Sequence, residues 1–152
     1  MSVEWVDVEE LIAGLPSPPY LVPKRTTAGM VAALAKAGFV LCELDGRLIS
    51  SQEDLLEEVG KALEFPDYYG RNWDAFNDCV RDLPEWGKPK VAVVWHDSDL
   101  LLRRNVHDFV RSVTLMHRIA ESASAIPFES GDPHLQLEIF YSGEWEAGDS
   151  RP

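Results

Sequence analysis

The chain has 152 residues, 45% of them hydrophobic and 10% aromatic, which suits one packed domain with or without an appendage and argues against general disorder. Twenty-six acidic against 14 basic residues give a formal net charge of −12, so nucleic acid and anionic lipid are repelled and a basic partner is attracted, although solubility alone also favours acidic surfaces. No apolar run is long enough to cross a bilayer, and the opening MSVEWVDVEEL is acidic where a signal peptide is basic, so no membrane association and a cytoplasmic location are expected.

Residues 1–38 read as an N-terminal extension. DVEELIAGL predicts a short helix, and PSPPYLVPK, with four prolines, an extended and turn-rich path. TTAGMVAALAKAG predicts a second helix, capped by Thr26 or Thr27, with Met30, Leu34 and Ala37 on one side and Gly38 as its stop. This extension either packs on the main body or acts separately.

Residues 39–142 read as the main domain. FVLCEL is a buried strand that ends at a DG turn. SSQEDLLEEVGKALEF follows as a helix, with a capping box from Ser50 and Glu53 or from Ser51 and Asp54, and a stripe of Leu55, Leu56, Val59 and Leu63. Pro66 ends it. After the stretch FPDYYGRNWDAFNDCVRDL, residues 65–83, comes the β-branched run KVAVVW, expected as a central strand. RNVHDFVRSVTLMHRIAES predicts a helix capped by Asn105, whose Val106, Phe109, Val110, Val113, Met116 and Ala120 keep helical periodicity. LQLEIFYS supplies a third strand, and residues 143–152 read as a polar, frayed tail that includes Trp145. Strands separated by helices predict an α/β fold with a small, mainly parallel sheet of about three strands. Cys42 and Cys79 fall on apolar positions and are expected as buried thiols, too few and too distant for a zinc site.

Residues 65–83 hold the feature that needs a cause. Asn72 is the expected cap of a helix whose Trp73, Ala75, Phe76, Cys79, Val80 and Leu83 form a broad apolar side. Asp74, Asn77, Asp78, Arg81 and Asp82 are left on the other. Asp74, Asp78 and Asp82 recur every four residues, where like charges cost about 0.2–0.5 kcal/mol per pair. The helix dipole favours Asp74 in the first turn and disfavours Asp82 in the last. A solvated face relieved by Arg81 is the bland explanation. Tyr68 and Tyr69, on the loop just before this face, add the rigid amphipathic side chains common at binding surfaces, one of the two being expected in the core.

FPDYYGRNWDAFNDCVRDL closely resembles the signature loop and second helix of the barstar family, intracellular inhibitors of the ribonuclease barnase. The pattern is a hydrophobic residue, Pro, an acid, Tyr-Tyr-Gly, any residue, Asn, a hydrophobic residue, Asp-Ala, then a distal Asp-Cys. The similarity runs over about residues 39–142, with residues 1–38 and the tail outside it. It implies a contact surface on Tyr68, Asn72, Asp74, Asn77 and Asp78, to which the row of acids adds Asp82. Asp78 matches the aspartate that occupies a substrate phosphate position in the nuclease. It further implies a basic extracellular-type or toxin ribonuclease as protein partner in a one-to-one complex, with this chain as its immunity protein, as in a toxin–antitoxin pair, and with no cofactor, no metal and no direct contact to nucleic acid. Asn77 stands where the archetype has tryptophan, and Arg81 and Asp82 replace a small polar residue and a glycine. The archetype's acidic contact on its last helix finds only Glu121, after a shift in alignment.

Two other classes compete with inhibition. A barstar-like domain can bind a different, non-barnase protein through the same face or through the extension. An enzyme can use Asp74 and Asp78, one turn apart, to bind a divalent cation or to exchange protons. The four histidines, His96, His107, His117 and His134, have no recognised ligand spacing, and no phosphate-binding, nucleophile-elbow or zinc-protease motif occurs.

Overall fold

A computed structural model describes residues 3–125 and 134–145. Along the chain run α1 (Val8–Leu11), β1 (Tyr20–Pro23), α2 (Thr27–Lys36), β2 (Val40–Asp45), α3 (Gln52–Ala62), α4 (Trp73–Arg81), β3 (Lys90–His96), α5 (Asp99–Arg104), α6 (Val106–Ala123) and β4 (Gln136–Gly143). The four strands form one wholly parallel sheet in the order β1-β4-β3-β2. Parallel strands need crossover connections, and those crossovers place helices on both faces.

Each face has its own core. Val91, Val93 and Trp95 of β3, with Leu137, Ile139 and Tyr141 of β4, point towards α3, α4, α5 and α6. Ala92, Val94 and Phe140 point the other way, where Met30 and Leu34 of α2, Tyr20 and Val22 of β1 and Val8 of α1 cover them. The Tyr20 and Phe140 rings stack with centroids 5.3 Å apart. Cys42 and Cys79 are both buried and free, and burial pushes the Cys42 thiol up to about 12.

Several sequence expectations need correction. The sheet has four strands rather than about three, because Tyr20–Pro23, inside the proline-rich path, adds β1 beside β4. Four residues bracketed by prolines are too short for any alternation to show. An extra helix, α5, precedes α6, and its N-cap residue Ser98 makes no side-chain cap bond. Trp145 is not part of a frayed tail. Its Nε1–H donates to the Tyr141 carbonyl at 2.8 Å, and its ring lies 6.1 Å from that of Phe109. Residues 146–152 lie outside the described residues. Val106 and Val110, expected on the buried stripe of α6, are 59% and 56% exposed, because no element among the described residues covers that flank.

The N-terminal segment is fastened at one polar point. Gln136, wholly buried, accepts from the Val6 N–H at 3.0 Å and donates to the Val6 carbonyl at 2.7 Å and to Glu138 Oε2 at 2.8 Å. Burial holds the Glu138 carboxyl above the usual carboxylate range. Gln136→Leu leaves both Val6 backbone groups without their partner while keeping an apolar shape under the sheet. Amide exchange at Val6 should then accelerate while the far-ultraviolet circular dichroism of the sheet and helices stays unchanged.

Candidate functional site

The loop between α3 and α4 is shaped from beneath. Phe65 N–H reaches the Gly60 carbonyl at 2.9 Å, and Tyr69 N–H closes a turn on Pro66 at 2.9 Å. Glu64 and Arg71 both adopt positive φ, 60° and 54°, so left-handed residues bracket the loop. Tyr69 turns inward, donating its hydroxyl to the Leu56 carbonyl at 2.9 Å and meeting Phe65 edge-on at 4.9 Å. It lies against Gly60 of α3, where an added Cβ would stand 2.6 Å from the Tyr69 ring. Tyr68 points outward and is 73% exposed, so Tyr69 is the core tyrosine of the pair.

Asn72 caps α4, its Oδ1 accepting from the Ala75 N–H at 2.8 Å. Phe76, Cys79 and Val80 are buried beneath the helix. By helical spacing, Asp74 and Asp78 form its outer crest, while Trp73, Asn77 and Arg81 form the flank towards α6. Asp74 and Asp78 are exposed, and Asn77 is half-buried. Asp82 is the C-cap residue rather than a full helical position and is half-buried.

The crest keeps its charge. Arg81 does not fold back on Asp78 but donates to Ser122 Oγ at 2.8 Å, and Arg71 lies 3.8 Å from Glu57. Among the described residues, no lysine or arginine forms an ion pair with Asp74, Asp78 or Asp82. Such a face attracts a cationic surface and can present carboxylates to its donors.

A junction behind the crest was not foreseen from the sequence. Gln52, the first residue of α3, gives its backbone N–H to Asp108 Oδ2 at 2.9 Å and its side-chain amide to Asp108 Oδ1 at 3.1 Å. Its Oε1 accepts from Trp73 Nε1 at 2.8 Å and from Arg111 Nε at 3.1 Å. One glutamine thus ties together the starts of α3 and α4 and the first two turns of α6. Asn105 Oδ1 in turn accepts from the Asp108 N–H at 3.1 Å. The sequence carried a weak signal at most, since the Asn105–Asp108 spacing explains Asp108 as a local cap residue.

The Asp108 carboxyl is held below its ordinary value of 3.8, first by the Gln52 backbone N–H and then, against the effect of burial, by His107 and the Gln52 amide. A depressed folded value means that this stabilisation is complete above 3.8 and is lost as pH falls through the lower one. Melting temperatures of the wild type and Asp108→Asn should therefore differ near neutrality and converge in acid. Gln52→Ala, which strips a half-buried indole N–H and a buried carboxylate of their partner, should cost about 1–3 kcal/mol by denaturant unfolding. Gly60→Ala should also destabilise, by about 1–3 kcal/mol, because the Tyr69 ring must move.

Comparison with known proteins agrees with this architecture. Residues 39–139 match the family described as Barstar (barnase inhibitor). A curated Bacillus subtilis (strain 168) protein named "Putative ribonuclease inhibitor YrdF" is 48% identical over 44 residues, covering 27% of this chain and 48% of that protein. The match therefore spans about half the length of that relative. Among solved structures, the Aeropyrum pernix ORC2 protein (ADP form) superposes with a TM-score of 0.51 at 14% identity, over 84% of this chain and 35% of that one, which is a likeness of fold alone. The signature loop, the helix that follows it and strands β2 and β3 lie within the matched span, and the chain belongs to the barstar family of barnase inhibitors.

Proposed function

We propose that the protein is an intracellular inhibitor of a basic microbial ribonuclease, binding it one-to-one and closing its active site with the outer face of α4. The observation that carries this reading is the exposed, unpaired crest of Asp74 and Asp78 on a helix fixed from behind by Gln52. A ribonuclease cleft must hold RNA with cationic side chains. A fixed carboxylate can take the place of a phosphate there through charge-assisted hydrogen bonds.

Roles within the face follow from the geometry. Asp78, on the crest, enters the phosphate position, and Asp74 lies one turn away in the same direction. Tyr68 offers a rigid aromatic contact beside them. Asn72 has its Oδ1 engaged in capping and reaches a partner only with its Nδ2, which is 3.5 Å from the Gly70 carbonyl. Asp82 contributes long-range attraction from the end of the helix. Opposite net charges accelerate encounter, and the gain falls as salt is added.

Protruding acids suit a plug better than a catalytic cleft. Among the described residues, no group of three or more histidine, cysteine, aspartate or glutamate side chains is placed to hold a metal ion. A barstar-like module for a different, non-barnase protein is the second reading, supported by Asn77 and Arg81 on the flank of the same face.

The test is a titration of RNA cleavage by a panel of basic microbial ribonucleases, at low and high salt. At least one nuclease should be inhibited stoichiometrically, more tightly at low salt. Asp78→Ala should weaken that complex by about 3–5 kcal/mol, the cost of leaving buried cations without their counter-charge. Unchanged affinity and inhibition in Asp78→Ala would remove Asp78 from the site. Absence of inhibition across a broad panel would favour the module for another protein.

A further inference from the structure

The α6 flank of the site carries charge of the opposite sign. Trp73 and Arg111 share Gln52 as a partner, and Arg81 bonds Ser122, so α4 and α6 run side by side in the same direction. Helical spacing then places Arg111, Leu115, Arg118 and Ser122 of α6 along the seam, facing Trp73, Asn77 and Arg81 of α4. In this chain of net charge −12, several surface cations pair with acids. Lys24, Arg47, Lys61, Arg71, Lys88 and Arg103 do so.

Arg81, Arg111 and Arg118 have no such partner among the described residues, and all three are exposed. Arg81 and Arg111 are held by uncharged groups, Ser122 Oγ and Gln52 Oε1, which fixes the side chains and leaves their charge uncancelled. Immediately outward on α6 lie Val106 and Val110, 59% and 56% exposed, lining an open groove with Arg111, Leu115 and Arg118. Helix α6 therefore presents an apolar strip edged with arginine, directly beside the acidic crest.

We infer that this strip forms the second half of the inhibitory face and selects ribonucleases whose basic cleft is bordered by an apolar lip carrying carboxylates. This rests on the inhibitor reading above. Asp74 and Asp78 enter the cleft while Arg118 and Arg81 meet the acids of the lip, with Val106 and Val110 against its apolar part. The two charge patterns together fix the orientation of the partner. They disfavour a nuclease that is basic on both cleft and lip, since like charges would face each other across the seam.

The experiment uses the full chain and the nuclease from the panel that the wild type inhibits most tightly. Arg118→Glu and Lys36→Glu change the net charge equally, but Lys36 is an exposed residue of α2, on the opposite face of the sheet. Association rates and affinities are measured for both variants, for Val110→Asp and for Asp78→Ala, with thermal melts to show that each is folded. Arg118→Glu should lower affinity about tenfold at low salt, largely in the association rate, with a smaller loss at high salt. Val110→Asp should lower it similarly, and Lys36→Glu should change it less than twofold.

Equal behaviour of Arg118→Glu and Lys36→Glu would overturn the inference, since only long-range charge would then be acting. Tighter binding by Arg118→Glu would overturn it as well, by showing a basic lip. In either case a loss of binding in Asp78→Ala leaves the inhibitor reading standing. Should the wild type inhibit no nuclease of the panel, the reading itself fails and the inference falls with it.

Discussion

A wholly parallel sheet has no face that can be left to water, because the crossovers that make its strands parallel also bring helices over both sides. That constraint organises the molecule. Val91 to Trp95 of β3 are completely buried, and every residue of that run faces a core on one side or the other. The face towards α2 is closed with few parts, α2 and the short α1 with Val8, next to the side chains of Tyr20 and Val22 from β1. The other face must carry four helices, α3 to α6, in the crossovers from β2 to β4. It is on this crowded side that α4 finds itself, with its inner side sealed by Phe76, Cys79 and Val80 and its outer side free.

The acidic crest is a consequence of that placement and also depends on it. Repulsion between Asp74 and Asp78 is small and is borne by a helix whose buried side contributes far more. What a row of carboxylates needs for recognition is fixed direction, and exposed side chains on a nine-residue helix do not supply it alone. The aromatic bed of Phe65, Tyr69, Trp73 and Phe76 supports the helix from below. Gln52 locks its first residue to α3 and α6. The nearest arginine is drawn away to Ser122, so the charge is neither dispersed nor cancelled.

Much of this was legible in the sequence wherever a local rule had one outcome. Ser51, Asn72 and Asn105 each cap the helix their spacing announced, accepting from Asp54, Ala75 and Asp108 N–H groups. The β-branched run of β3 and the four-residue recurrence of the aspartates also read directly. What escaped depends on contacts far apart in the chain. Strand β1 is defined by its partner β4 rather than by its own four residues. Val106 and Val110 obey helical periodicity, but periodicity cannot say that no described element lies over that side of α6. Trp145 sits among polar residues, and only the Phe109 ring and the Tyr141 carbonyl show why it is ordered. The Gln52 junction joins three helix starts, each of which already made sense by itself.

The pairing of β1 with β4 also bears on how the chain is built at the ribosome. Tyr20 is synthesised well before its neighbour in the sheet, Phe140, which is among the last residues of the described fold to emerge. Strands β2 and β3, with α3 and α4 between them, can assemble from one contiguous stretch of nascent polypeptide. The edge formed by β1 must wait for a contact spanning most of the chain, whose closure is entropically the most expensive in the sheet. The acid-bearing helix is thus complete before the sheet is, and β1, made before every other strand of the sheet, is among the last to be secured.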